Sequence, residues 1–80
     1  MDEPPAWRLE DGHLVRDWTF ADFAGPLALA ARIGAVAEEA GHHPEIRFGW
    51  GFLRVSLRTF DAGAVTELDH ALAAAIDRLA

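Results

Sequence analysis

The residues with the most chemical potential are two adjacent imidazoles in Gly41-His42-His43-Pro44. Histidine is the side chain whose unperturbed pKa lies nearest neutrality, so each ring can take up or release a proton at working pH. Two such groups side by side suit acid–base chemistry. The same four residues also read as a helix terminus: a glycine stop, an imidazolium against the negative end of the helix dipole, and a proline that prevents continuation. Spacing alone leaves both readings open. His13 and His70 have no histidine partner three or four residues away, adjacent side chains diverge, and there is no cysteine, so no metal site is expected. The chain contains no phosphate-cradling glycine loop, Gly-x-Ser-x-Gly elbow or His-Glu-x-x-His helix.

The histidine pair must be held by the elements on either side of it. From about Asp22, a plausible N-cap, apolar residues at Leu29, Ile33, Val36, Ala37 and Ala40 follow the spacing of one helix face, and Gly41 ends it. Pro26 falls in the first turn, where a missing N–H costs little. Glu45 to Phe48 and Phe52 to Phe60 are β-prone runs around Gly49-Trp50-Gly51, whose glycines permit a hairpin reversal. Leu53, Val55, Leu57 and Thr59 then share one sheet face, and Phe52, Arg54, Ser56, Arg58 and Phe60 share the other. Upstream, Trp7 to Glu10 and His13 to Trp18 flank Asp11-Gly12, a second hairpin signal. Downstream, Asp61-Ala62-Gly63 breaks the strand and Thr66-Glu67-Leu68-Asp69 has the look of a capped helix start. That last helix is expected to bury Leu68, Leu72, Ile76 and Leu79, with alanines at 71, 73, 74 and 75 smoothing its surface for a partner helix. The predicted order is β-β-α-β-β-α, an α+β single domain with a four-stranded antiparallel sheet and two helices packed on one face. Residues 1–6 read as a flexible leader to a domain over 7–80.

Eighty residues permit one small domain. Burying about 60% of the chain's surface supplies about 120 kcal/mol at ~25 cal/mol/Å², and ordering the chain costs about the same. Self-association is the natural reinforcement. Thirteen acidic residues against seven basic ones, all arginine, give a formal charge of −6. That balance, with the arginines scattered from Arg8 to Arg78, disfavours direct binding to nucleic acid. No uncharged run approaches the roughly 20 residues of a membrane span. The acidic, proline-containing start is the reverse of a secretion signal. A soluble cytoplasmic protein is the expectation.

The chemistry-bearing residues also fall into a pattern. Glu38, His42, His43, Pro44, Trp50, Thr59 and Asp69 match, without a gap, an acid, three residues, His-His-Pro, an aromatic six positions on, a Thr-His pair, and an Asp nine further. Phe20-x-Asp22-Phe23 and Leu72-Ala73 fall in register too. In this the chain resembles the pterin-4a-carbinolamine dehydratase family, also known as dimerisation cofactors of a homeodomain transcription factor, from Trp7 to Leu79. The resemblance implies dehydration of a 4a-hydroxytetrahydropterin to the quinonoid dihydropterin, which recycles the cofactor of aromatic amino acid hydroxylases. It implies His42 and His43 as proton-handling and substrate-orienting residues, with Pro44 fixing their turn and no metal or organic cofactor.

By the same resemblance Glu38 is placed to hydrogen-bond an imidazole or the pterin's amino-pyrimidine edge, and Trp50 to stack near the histidine loop. The two acids of the pattern have plain alternatives. Glu38 is also a solvated helix carboxylate beside Glu39, and Asp69, a site residue in the family, is also explained by helix capping. One position departs: Phe60 stands where the family has the histidine of its Thr-His pair. A phenyl ring carries no proton but can flank a flat pterin, so weakened dehydratase activity is the expectation. The competing expectation is a non-catalytic interaction module, a coactivator or assembly factor with a protein partner. The resemblance further implies a homodimer or homotetramer.

Overall fold

The computed structural model describes residues 6–79, so the leader expected over 1–6 lies, Ala6 apart, outside the described residues. The elements run β1 (Arg8–Glu10), β2 (His13–Thr19), α1 (Ala24–Ala40), β3 (Glu45–Gly49), β4 (Phe52–Leu57) and α2 (Glu67–Asp77). The strands form one antiparallel sheet in the order β1-β2-β4-β3, with β1 and β3 at its edges.

Two-residue periodicity assigns the faces. In β4, Leu53, Val55 and Leu57 are buried and alternate with the more exposed Phe52, Arg54 and Ser56. Leu29, Ile33 and Ala37 of α1 and Leu72, Ala73 and Ile76 of α2 close over the apolar face. The opposite face carries an ion network. Asp17 of β2 accepts hydrogen bonds from Arg54 of β4 at 2.8 Å and from Arg8 of β1 at 2.6 Å, and Arg54 also reaches Glu10 at 2.9 Å. The hydrogen bonds from Arg54 and then Arg8 hold the Asp17 carboxyl below its ordinary value, against a partial desolvation that acts the other way.

The turns follow their residues. Asp11 and Gly12 both adopt positive φ, at 52° and 77°, as a tight two-residue hairpin requires. Gly51, at φ 83°, fastens its turn to the β2–α1 connection: its N–H donates to the Asp22 carbonyl and its carbonyl accepts from the Phe20 N–H, both at 2.9 Å.

Several expectations need correction. β4 ends at Leu57, short of Phe60, because the chain turns at once: Thr59 bridges Ala64, and the Gly63 N–H donates to the carbonyls of Thr59 and Phe60. Phe60 therefore belongs to a turn and is 92% exposed. Asp22 caps α1 from one residue further out than expected. Phe23 is the N-cap residue without a side-chain bond, while Asp22 Oδ1 accepts the Gly25 N–H at 2.9 Å. Ala40 is exposed at the end of α1. Leu68 is exposed as well: in the first turn of α2 it lies at the flank of the buried stripe, whose first-turn member is Asp69, followed by Leu72, Ala73 and Ile76.

Leu53 is wholly enclosed at the centre of this core. Its replacement by alanine is expected to cost about 2–5 kcal/mol. At roughly 4–8 °C per kcal/mol, thermal denaturation followed by circular dichroism should show the midpoint falling by about 10 °C or more.

Candidate active site

The histidine pair is aimed by the way α1 stops. Gly41 takes the left-handed conformation at φ 68°. Its N–H donates to the Glu38 carbonyl and the His42 N–H to the Ala37 carbonyl, each at 3.2 Å, which satisfies carbonyls the helix leaves open. The tetrapeptide is the expected helix stop, and the two imidazoles follow it directly. Pro44 follows, half-buried, and leads directly into β3.

The two rings diverge. His42 turns inward, its side chain 15% exposed, and its Nε2 donates to Asp69 Oδ1 at 2.6 Å. Asp69 is fully buried at the first turn of α2, and its other oxygen, Oδ2, accepts the Thr66 N–H at 2.9 Å and the Thr59 hydroxyl at 2.8 Å. Thr59 gives its only proton to Asp69, so it accepts from the Thr66 hydroxyl at 2.6 Å, and Thr66 Oγ1 in turn accepts the Leu68 N–H at 3.3 Å. The expected capping box at Thr66 and Asp69 is therefore present and also gripped from outside by His42. Burial by itself would raise the Asp69 pKa. The hydrogen bonds from His42, the Thr66 N–H and Thr59, with attraction to His42, outweigh it and hold the carboxyl below its ordinary value.

His43 turns outward. Its Nε2 donates to Glu38 Oε1 at 2.9 Å in a pair that is 63% and 79% exposed, a contact that orients the ring at small energetic gain. The Nε2–H bond leaves Nδ1 of the neutral ring as the basic nitrogen. Beside it lies an open cleft of about 250 Å³ lined by His13, His43, Glu45, Ser56, Arg58 and Phe60. Its size sits just below the roughly 300–1,000 Å³ of typical small-molecule sites.

Of the residues singled out in the sequence, His43 and Phe60 line this cleft. Glu38 touches it through His43, and His42 and Asp69 lie on the inner side of the same turn. Trp50 does not come near. Strand β3 separates it from Pro44, and at ~3.3 Å per residue the hairpin turn ends up about 16 Å along the sheet. Trp50 is instead 71% exposed at that far corner. Sequence reasoning passed over His13, Glu45, Ser56 and Arg58 as lining residues. The available signal was register: the Leu14↔Leu57 and Val15↔Ser56 pairs bring His13 beside the end of β4.

The sequence profile of the family described as Pterin 4 alpha carbinolamine dehydratase matches residues 1–79. The chain belongs to that family. A protein of Chloroflexus aurantiacus, provisionally named a pterin-4-alpha-carbinolamine dehydratase, is 44% identical over 75 residues, which cover 94% of this chain and 81% of the relative. A similarly named protein of Cupriavidus pinatubonensis is 45% identical over 80 residues, or 98% of this chain and 69% of the relative. Among solved structures, a Brucella melitensis protein described as a transcriptional coactivator/pterin dehydratase superposes with a TM-score of 0.85 at 30% identity, over 94% of this chain and 82% of that one. A pterin dehydratase-like protein described as a RuBisCO assembly factor in the alpha-carboxysome gives 0.75 at 28% identity, over 94% and 89%. The dehydratase family's β-β-α-β-β-α fold, with one four-stranded sheet and two helices, is the one found here.

The depressed Asp69 pKa makes stability depend on pH. A carboxyl that ionises more readily folded than unfolded contributes above its unfolded value, near 3.8, and that contribution drains away as pH falls toward the lower folded value. Urea denaturation across pH 2–6 should therefore show acid destabilisation in the parent. In Asp69→Asn that part of the slope should vanish, with a loss of stability at pH 6 of about 3 kcal/mol, the scale for breaking a buried pair.

Proposed function

We propose that this chain dehydrates a 4a-hydroxytetrahydropterin to the quinonoid dihydropterin and water. The reading is carried by an imidazole, His43, oriented by a carboxylate at the wall of a cleft of compact-heterocycle size, in a member of the carbinolamine dehydratase family. The reaction breaks the C4a–O bond and forms a C4a=N5 double bond. A proton must reach the departing hydroxyl oxygen and another must leave N5. Both transfers lie within the range of an imidazole, and the sum is one water with no change of oxidation state.

His43 handles a proton at the cleft. Glu38 holds its Nε2–H and so keeps the ring turned. His42, tied to the buried Asp69, fixes the turn from inside, and its Nδ1 has no protein partner among the described residues. Phe60 supplies a flat apolar wall, and Arg58 and Ser56 offer donors to the polar edge of a pterin. The test is the loss of ultraviolet absorbance of a chemically generated 4a-hydroxytetrahydropterin. The parent should accelerate it over buffer, and His43→Ala should remove most of that gain, on the order of 10²-fold for a general acid–base residue. A parent no faster than buffer overturns the reading.

A second part of this reading is assembly, and with it a protein-interaction role like those named for the two structural relatives. Its support is apolar surface beside the open edge of the sheet at β3. Phe48 of the edge strand β3 packs on Phe23, their ring centres 5.9 Å apart, yet Phe23, Leu27 and Phe48 stay 47%, 48% and 36% exposed. Sedimentation velocity at micromolar concentration should give a dimer or larger species. A monomer there would remove self-association and leave the edge to a different partner.

A further inference from the structure

The cleft that exposes His43 contains a second imidazole, that of His13. His13 opens β2, and its side chain shares the open sheet face with Glu10 of β1, its register partner. The dehydration needs one group that gives a proton and one that takes it. His42 lies on the inner side of the turn and is absent from the cleft wall, and Phe60, which is on that wall, has no ionisable proton. The remaining lining residues are a hydroxyl, Ser56, a guanidinium, Arg58, and one carboxylate, Glu45. His13 brings the second imidazole, the side-chain type that can both give and take a proton near neutrality.

One hydrogen bond fixes its tautomer. Nδ1 lies 3.0 Å from the Asp11 carbonyl oxygen. A carbonyl only accepts, so Nδ1 carries the hydrogen, and in the neutral ring Nε2 bears the free lone pair. The ring is tethered to its own hairpin turn, where Asp11 and Gly12 hold positive φ, and is half-buried. Glu10, Asp11 and Arg54 line the adjoining depression that His13 also borders, while Glu45 and Arg58 face it from β3 and from the end of β4.

Resting on the dehydratase reading above, we propose that His13 is the second proton-handling residue of the cleft, working through Nε2 opposite His43. One ring, as imidazolium, delivers a proton to the hydroxyl oxygen as the C4a–O bond breaks. The other, neutral, takes the N5 proton as the C4a=N5 bond forms. Each ring ends in the state the other began in, and proton exchange with solvent restores both.

The test compares His13→Gln, which keeps a polar group of similar reach but cannot exchange protons near neutrality, with His43→Ala and the parent. Expected are a kcat for His13→Gln lower by roughly 10- to 100-fold, within the usual range for one acid–base group, a KM changed less than about twofold, and a pH–rate profile that loses one limb of its bell. A second pair of variants uses the neighbouring wall position. Phe60→His should raise activity in the His13→Gln background more than in the parent, because it returns an imidazole to the same cleft. Ring-proton resonances of His13 and His43 should both shift on titration with a stable dihydropterin. A parent that is active while His13→Gln keeps its kcat and both limbs of the profile overturns the role of His13 and leaves His43 untouched. A parent with no activity overturns the dehydratase reading, and this one with it.

Discussion

The arrangement hangs on a single buried carboxylate. Asp69 is fully enclosed, and each of its oxygens is occupied by donors from a different part of the chain: His42 after α1, Thr59 after β4 and the Thr66 backbone before α2. Two of these donors are local and the third, His42, comes from 27 positions away, yet all meet at two oxygen atoms. An ionised carboxyl away from water is tolerable only when its lone pairs are filled, and removing any donor leaves a charge with a vacancy. The same bond that holds α2 to the sheet therefore sets how the histidine turn sits. Stability and the geometry of the histidine turn are not separable at this point.

The division of labour between the two histidines follows. Neighbouring residues in an extended stretch send their side chains to opposite sides, so one ring can be spent on the interior only if the other faces water. His42 is the interior ring and His43 the exposed one. Each has a carboxylate partner, but the partners differ in kind. Asp69 is fully buried, while Glu38 is a solvated side chain one helical turn back. The first partner fixes position; the second biases orientation at little cost.

Local signals in the sequence carried most of the fold. The Gly41-His42-His43-Pro44 stop, the Asp11-Gly12 hairpin and the Thr66-x-x-Asp69 start each depend on residues a few positions apart, and each stands where it was expected. What required the structure was non-local. Asp69 read as either a helix cap or a site residue; it caps the helix and binds His42 at once, because its two oxygens serve different partners. Trp50 seemed close to the histidines in sequence, but an intervening strand is extended and carries it away. Phe60 read as a strand residue, and the Gly63 turn takes it out of the sheet. His13 was set aside for want of a nearby histidine, because its neighbourhood is set by pairing between β2 and β4, and register across a sheet is not visible in either strand alone.

The clasp between the Gly51 turn and the Phe20–Asp22 connection bears on where the molecule is free to fluctuate. Two reciprocal hydrogen bonds mean that neither loop can swing into solvent without stranding amide groups on the other. That corner is thereby stiffened, and it lies at the opposite end of the β3–β4 hairpin from the cleft. At the cleft end, the chain from Arg58 to Ala64 is exposed apart from the partly covered Thr59, whose hydroxyl ties it to Asp69 and Thr66. Low-cost excursions on that side are thus confined to the exposed turn from Phe60 to Gly63, beyond the Thr59 anchor, while the core stays still.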